Sequence, residues 1–186
     1  MFVAVERSAV SPAEASEARH DLESLYRAFA GDVARWASRL GGAGFDAEDA
    51  VHEVFLIVRD ELVGFRGDAK VTTWLYGITS NVVRHQRRRS KVRRWLGIEP
   101  EPDYAPLAEA ELLAREESRT VYRVLDNLSE KYRTVLILHE FEELSGPEIS
   151  ELTGVAVSTV WVRLHRARRL FLEAYERDRT RTERRR

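Results

Sequence analysis

Cysteine is absent from the 186-residue sequence, so no disulfide can staple the fold and no thiolate can hold a metal. That composition suits a reducing compartment. Long apolar runs are missing too: the longest, such as Thr134 to Leu138, fall far short of the ~20 residues that a membrane-spanning helix needs. The N-terminus lacks the basic, apolar and small-residue succession of a secretion signal, and the expectation is a soluble, cytoplasmic protein. Proline is scarce, and three of the five residues, Pro100, Pro102 and Pro106, crowd into one acidic stretch that cannot be helix interior. An excess of either charge is also lacking, the formal net charge being -1.

That total hides an uneven distribution. Arg84 to Arg94 holds seven basic residues and no acid, Glu99 to Glu117 holds seven acids against Arg115 alone, and Arg163 to Arg186 holds ten arginines against four acids. Two basic blocks flanking an acidic spacer point to polyanionic partners more clearly than the sum does.

The most informative stretch runs from Leu144 to Leu170, LSGPEISELTGVAVSTVWVRLHRARRL. Ser145 with Glu148 three residues on makes a capping box, Pro147 belongs in a first helical turn, and Gly154 supplies a turn. Two helices joined in this way form a helix-turn-helix. On the second helix Val157, Val160, Leu164, Ala167 and Phe171 make an apolar back. Ser158, Val162, His165, Arg166 and Arg169 fall on the front, the mixture of small, polar and guanidinium groups that fits a DNA major groove. An ordinary surface helix with a solvated basic face is the plain alternative.

Upstream, every element also reads as helical, and the expected fold class is all-α: two small helical domains joined by a Pro/Glu-rich linker. Residues 1–17 read as an N-terminal tail. A first helix carries Leu22, Leu25, Tyr26, Phe29, Val33, Trp36 and Leu40 at helical spacing and ends at Gly41, Gly42 and Gly44. Asp46 caps the next, whose inner stripe is Ala50, Val51, Val54, Phe55, Val58 and Leu62. Asp49, His52, Glu53 and Leu56 then share the outer face, which suits protein docking, a solvated surface, or a metal site built on the carboxylate-imidazole-carboxylate trio. A connector with Phe65, Arg66 and Lys70 leads to a helix with Leu75, Ile78 and Val82 inward. Gly77, Asn81, Arg84 and Arg88 share another side, joined by Lys70 if the helix reaches back that far, with Trp74 at its edge. An aromatic beside an amide and arginines is chemistry for stacking on unpaired bases while holding phosphates, and a core position for Trp74 is the competing explanation. The boundaries expected are a domain at 18–95, an acidic linker at 96–107, a helix-turn-helix domain at 108–173 and a basic tail at 174–186. Within the last domain Leu107 to Leu125 is helical, and Ser129 caps a helix with Tyr132, Val135, Leu136 and His139 on one side.

Together these stretches resemble the extracytoplasmic-function sigma factors of the sigma-70 superfamily, the bacterial transcription initiation subunits. The resemblance rests on DAEDAVHEVFL (Asp46 to Leu56), FRGDAKVTTWL (Phe65 to Leu75), ITSN (Ile78 to Asn81), EIS (Glu148 to Ser150), STV (Ser158 to Val160) and RLHRARRL (Arg163 to Leu170), in that order. It implies that Asp49, His52, Glu53 and Leu56 dock on the clamp helices of the largest subunit of core RNA polymerase. It implies that Phe65, Arg66, Lys70, Trp74, Asn81, Arg84 and Arg88 capture the melted minus-ten promoter element. It implies that Ser158, Thr159, Trp161, Val162, His165, Arg166 and Arg169 face the minus-thirty-five element. The further partners implied are the flap of the second largest subunit and an anti-sigma factor; no cofactor, metal or catalytic residue is implied. The family usually has glutamine at the position of His52, Lys or Arg at Trp161 and Ser at Val162. The latter two replacements remove hydrogen-bonding capacity, so either apolar contacts such as thymine methyls or a different preferred element is expected. Two rival functions are a free-standing helix-turn-helix regulator on a palindromic site and a metal-dependent enzyme on Asp49, His52 and Glu53.

Overall fold

The structure is a computed structural model that describes residues 21–42, 44–98 and 120–183. The N-terminal tail, nearly all of the acidic linker and the start of the second domain lie outside the described residues. Those described form seven helices and no strand: α1 (Leu22–Gly41), α2 (Ala47–Glu61), α3 (Val71–Trp95), α4 (residues 120–126), α5 (Glu130–Glu140), α6 (Gly146–Thr153) and α7 (Val157–Glu183). A 3-10 turn, Leu62–Gly64, follows α2. None of these helices is long and apolar enough to cross a membrane.

Local chemistry sets the helix starts. The Asp21 carboxylate accepts from the Ser24 N–H at 2.7 Å and Asp46 from that of Asp49 at 2.9 Å, each satisfying a donor that the first turn leaves orphaned. Ser145 and Glu148 complete the reciprocal capping box expected of them, with Pro147 in the first turn of α6. Gly154 ends α6 at φ 70°, a left-handed conformation that glycine adopts without strain, and this re-aims the chain into α7.

Helices α1, α2 and α3 pack into an N-terminal lobe around Leu25, Val33, Val54, Val58, Leu75 and Val83, all nearly inaccessible. Trp36 meets Tyr76 edge-on at 5.5 Å within this core. Tyr26, expected inward, is half exposed and touches the core only through the edge of Phe55. Helices α4 to α7 form the second lobe around Leu125, Ile137, Leu138, Ile149, Val160, Leu164 and Ala167. Helix α5 is buried almost all round, because it packs on α6, α7 and α1 at once. Helix α7 runs unbroken past residue 173 to Glu183, and Asp178 holds that extension to Arg123 of α4 at 3.2 Å.

Candidate nucleic-acid interface

On α2 the outer face is as the periodicity implies: Asp49, His52 and Leu56 are exposed and Glu53 is partly covered. Gln86 carries no local signal that would mark it as part of this face. Its Nε2 reaches across from α3 and donates to Asp49 Oδ2 at 3.1 Å and Glu53 Oε2 at 2.7 Å, holding two like charges side by side. The two carboxylates are thus organised around an amide and not around His52. Among the described residues no group of three His, Asp or Glu side chains is disposed to hold a metal.

Helix α3 begins at Val71, so Lys70 is its N-cap and stands outside the helical periodicity. Phe65, delivered by the connector, stacks on Trp74 at 4.4 Å with 23° between the rings, and both rings are partly buried. Trp74 is partly buried against the core and carries Phe65 on its ring. Asn81, Arg84 and Arg88 are exposed on the same side, with the Arg84 guanidinium donating to the Asn81 amide oxygen. Arg66 is exposed on the connector.

The front of α7 presents Ser158, Val162, His165, Arg166 and Arg169 to solvent, with Thr159 half covered. The Arg166 guanidinium, a donor facing the Tyr132 hydroxyl of α5, holds that hydroxyl below the usual phenol range. Arg169 lies 3.8 Å from Glu173, and Arg168 is turned aside to Glu140 at 2.7 Å. Trp161, 47 % exposed, folds back over α6: a Cβ added to Gly146 would lie 2.5 Å from its ring. It also meets His139 edge-on at 5.9 Å. A basic side chain at Trp161 would lack that flat surface, which gives the departure a packing reason.

The two lobes touch through charges. Arg133 of α5 is 1 % exposed and inserts its guanidinium at the C-terminus of α1, where Nη1 donates to the Leu40 carbonyl. Arg87 of α3 donates to the same carbonyl at 2.9 Å, and both arginines face Asp126, at 2.6 Å for Arg87 and 3.5 Å for Arg133. Burial, with the like charge of Arg87, pushes Arg133 down to about 10. Gly42, at φ 93°, leaves room for this group, since a Cβ there would lie 3.2 Å from Arg133 Nη2. Glu142, its side chain only 5 % exposed, takes Arg35 at 2.9 Å and Arg39 at 3.0 Å, the second contact close but not aligned as a hydrogen bond. Burial would lower Arg35, but its hydrogen bonds to Glu142 and Asp32 outweigh that and hold it above its ordinary value. Lys70 pairs with Glu151 of α6 at 2.6 Å. The Glu142 and Lys70 contacts border an open cleft of about 710 Å³ between the lobes.

Comparison with known proteins supplies the family. Residues 25–93 match the model of sigma-70 region 2 and residues 118–171 that of sigma-70 region 4. The chain is 30 % identical over 154 residues to the RNA polymerase sigma factor YlaC of Bacillus subtilis, covering 81 % of this chain and 89 % of that one. It is 33 % identical over 141 residues to the ECF RNA polymerase sigma factor SigW of the same organism, covering 70 % and 75 %. To the ECF RNA polymerase sigma-E factor of Escherichia coli K12 it is 33 % identical over 147 residues, covering 73 % and 76 %. Among solved structures it shares its fold with CnrH, determined in complex with the cytosolic domain of CnrY, at TM-score 0.60 and 22 % identity over 88 % of this chain and 92 % of that one. It likewise resembles the Bartonella quintana sigma factor RpoE, determined in complex with the anti-sigma factor NepR, at TM-score 0.58 and 21 % identity over 84 % and 97 %. With both sigma-70 regions matched, the chain belongs to the extracytoplasmic-function sigma factors of the sigma-70 superfamily, alternative sigma factors that direct promoter-specific transcription initiation.

Proposed function

We propose that the lobe at 18–95 docks on the clamp helices of the largest polymerase subunit through Asp49, His52, Glu53 and Leu56, and opens the minus-ten element with the face of α3. The observation that carries this is the α3 face itself: a half-buried aromatic stack, Phe65 on Trp74, lies beside an exposed amide and two exposed arginines. An unpaired base costs a few kcal/mol to expose, and stacking on Trp74 with edge contacts from Asn81 offsets that while Arg66, Lys70, Arg84 and Arg88 hold phosphates. The lobe at 108–173 reads the minus-thirty-five element with the front of α7 and meets the flap of the second largest subunit. Arg166 is its base-reading group, Ser158, Thr159, His165 and Arg169 give polar or phosphate contacts, and Val162 supplies an apolar one. Trp161 braces the helix against α6.

Reading both elements requires the lobes to part. Sites about 25 base pairs apart lie roughly 85 Å apart along B-DNA at 3.4 Å per step, whereas Lys70 and Glu151 join the lobes at 2.6 Å. RpoE is bound to the anti-sigma factor NepR and CnrH to the cytosolic domain of CnrY, and an anti-sigma factor that holds both lobes is the regulator proposed here. The chain works in the cytoplasm, takes no cofactor and catalyses nothing itself.

A titration of the full chain against bacterial core RNA polymerase tests this. Asp49→Ala with Glu53→Ala is expected to weaken binding while helicity is retained. Unchanged affinity would remove the docking assignment.

A further inference from the structure

Three of the four tryptophans are accounted for by packing: Trp36 in the first core, Trp74 under Phe65, and Trp161 against Gly146. Trp95 is not. It ends α3 at 85 % exposure, followed by Leu96 and Ile98 at 55 % and 62 %. Folding alone gives no reason to place a large aromatic surface there.

Its surroundings suggest a ligand. Arg88, Arg89, Lys91 and Arg93 all point outward from the last turns of α3, and among the described residues no carboxylate pairs with any of them. Elsewhere Arg35, Arg39, Arg87, Arg123, Arg133 and Arg168 each have a carboxylate partner. Arg88, Arg89, Lys91 and Arg93 thus lie within the seven residues before Trp95 without an ion pair. A hollow of about 450 Å³ lies among them, lined by His85, Arg88, Arg89, Val92 and Arg93, with Val92 half exposed.

The register of the helix joins this patch to the capture face. At 3.6 residues per turn, Trp74, Asn81, Arg84, Arg88, Val92 and Trp95 fall within one stripe with Lys91 at its edge, and Trp95 lies about 21 Å beyond Asn81. A duplex could meet the cations, but its bases are already stacked and give an open tryptophan face nothing to cover. An acidic protein surface would meet the cations and leave the ring unused. An unpaired strand satisfies both.

We propose that Trp95, with Arg88 and Lys91 on its side of the helix, forms a second stacking site for the unpaired DNA strand, extending the α3 capture face by about 21 Å. The proposal rests on α3 being the strand-capturing face. Stacking there adds affinity without base readout, because every base offers a π-face.

The full chain is titrated by fluorescence anisotropy with a labelled single strand of about twelve nucleotides and with the matching duplex. Trp95→Ala is expected to weaken single-strand binding about tenfold and to leave duplex binding within about twofold, while Trp95→Phe retains most of the affinity. Unchanged single-strand affinity in Trp95→Ala, or the same loss on strand and duplex, would overturn the proposal. So would a loss of polymerase binding with strand affinity intact, which would make Trp95 a protein contact. Trp74→Ala, run in parallel, separates the two levels: if it weakens strand binding and Trp95→Ala does not, the extension fails and the capture face stands. If neither matters, the capture face fails as well.

Discussion

Glu142 joins the two lobes through two arginines at once. It leaves the second lobe from the turn after α5 and is almost wholly covered by Arg35 and Arg39 of α1. Removing one partner of a well-buried ion pair costs about 3–5 kcal/mol. Here the arginine side chains keep 44 % and 32 % of their exposure and can rehydrate, so a charged hydrogen bond of roughly 2 kcal/mol is the better measure. At about 1.4 kcal/mol per factor of ten, Glu142→Ala should shift the balance between closed and parted lobes by roughly 30-fold. The absence of cysteine makes the assay clean: cysteines placed at the exposed Glu61 and Glu176, one per lobe, take a donor and an acceptor dye without background labelling. The wild type should give a narrow, salt-sensitive transfer efficiency, and Glu142→Ala a lower and broader one. Raising the ionic strength should move the wild type the same way, since partly exposed pairs are screened. Identical efficiencies for the two proteins at all salt concentrations would refute the reasoning.

Three other outcomes are expected. Gln86→Leu removes the amide that holds Asp49 and Glu53; it should cost about 1 kcal/mol and weaken polymerase binding roughly fivefold, and an unchanged core titration would detach carboxylate orientation from docking. Arg166→Ala should reduce discrimination at one base position by about 1–3 kcal/mol in promoter competition assays without altering polymerase assembly, and equal loss on scrambled DNA would make it a phosphate contact. The Ser24 N–H holds the Asp21 carboxyl below its ordinary value, so the cap it forms is present above the ordinary carboxylate pKa and is lost as pH falls through the lowered one. The protection of the Ser24 amide against exchange, relative to its intrinsic rate at each pH, should fall on acidification, and Asp21→Asn should abolish that dependence while keeping the cap.

Much of this architecture is legible in the sequence because it is local. The capping box at Ser145 and Glu148, the turn at Gly154 and the inner stripe of α7 each follow from residues within a turn or two of one another, and the chain adopts them as written. The outer faces of α2 and α7 were legible for the same reason, since periodicity says which side is apolar. It does not say what the other side meets. Gln86 reaches Asp49 and Glu53 from 37 and 33 residues away, and Arg133 is buried by a lobe whose contact residue lies 93 positions upstream. A charged residue in a helical pattern reads as solvated until a second lobe covers it. Periodicity places Trp161 near the groove side of the helix but cannot show that its ring also covers Gly146, a contact between elements. The onward run of α7 to Glu183 was hidden by its charge: arginines look like a solvated tail, yet Tyr175 stacking on Phe171 and the Asp178 pair with Arg123 continue the packing.

The most direct test of the central claim is permanganate footprinting of promoter DNA incubated with core RNA polymerase and the full chain. Reactive thymines at a minus-ten element, dependent on the chain and diminished by Trp74→Ala, are the result expected of a subunit that opens DNA with the face of α3. A polymerase complex that forms and leaves every thymine protected would contradict it.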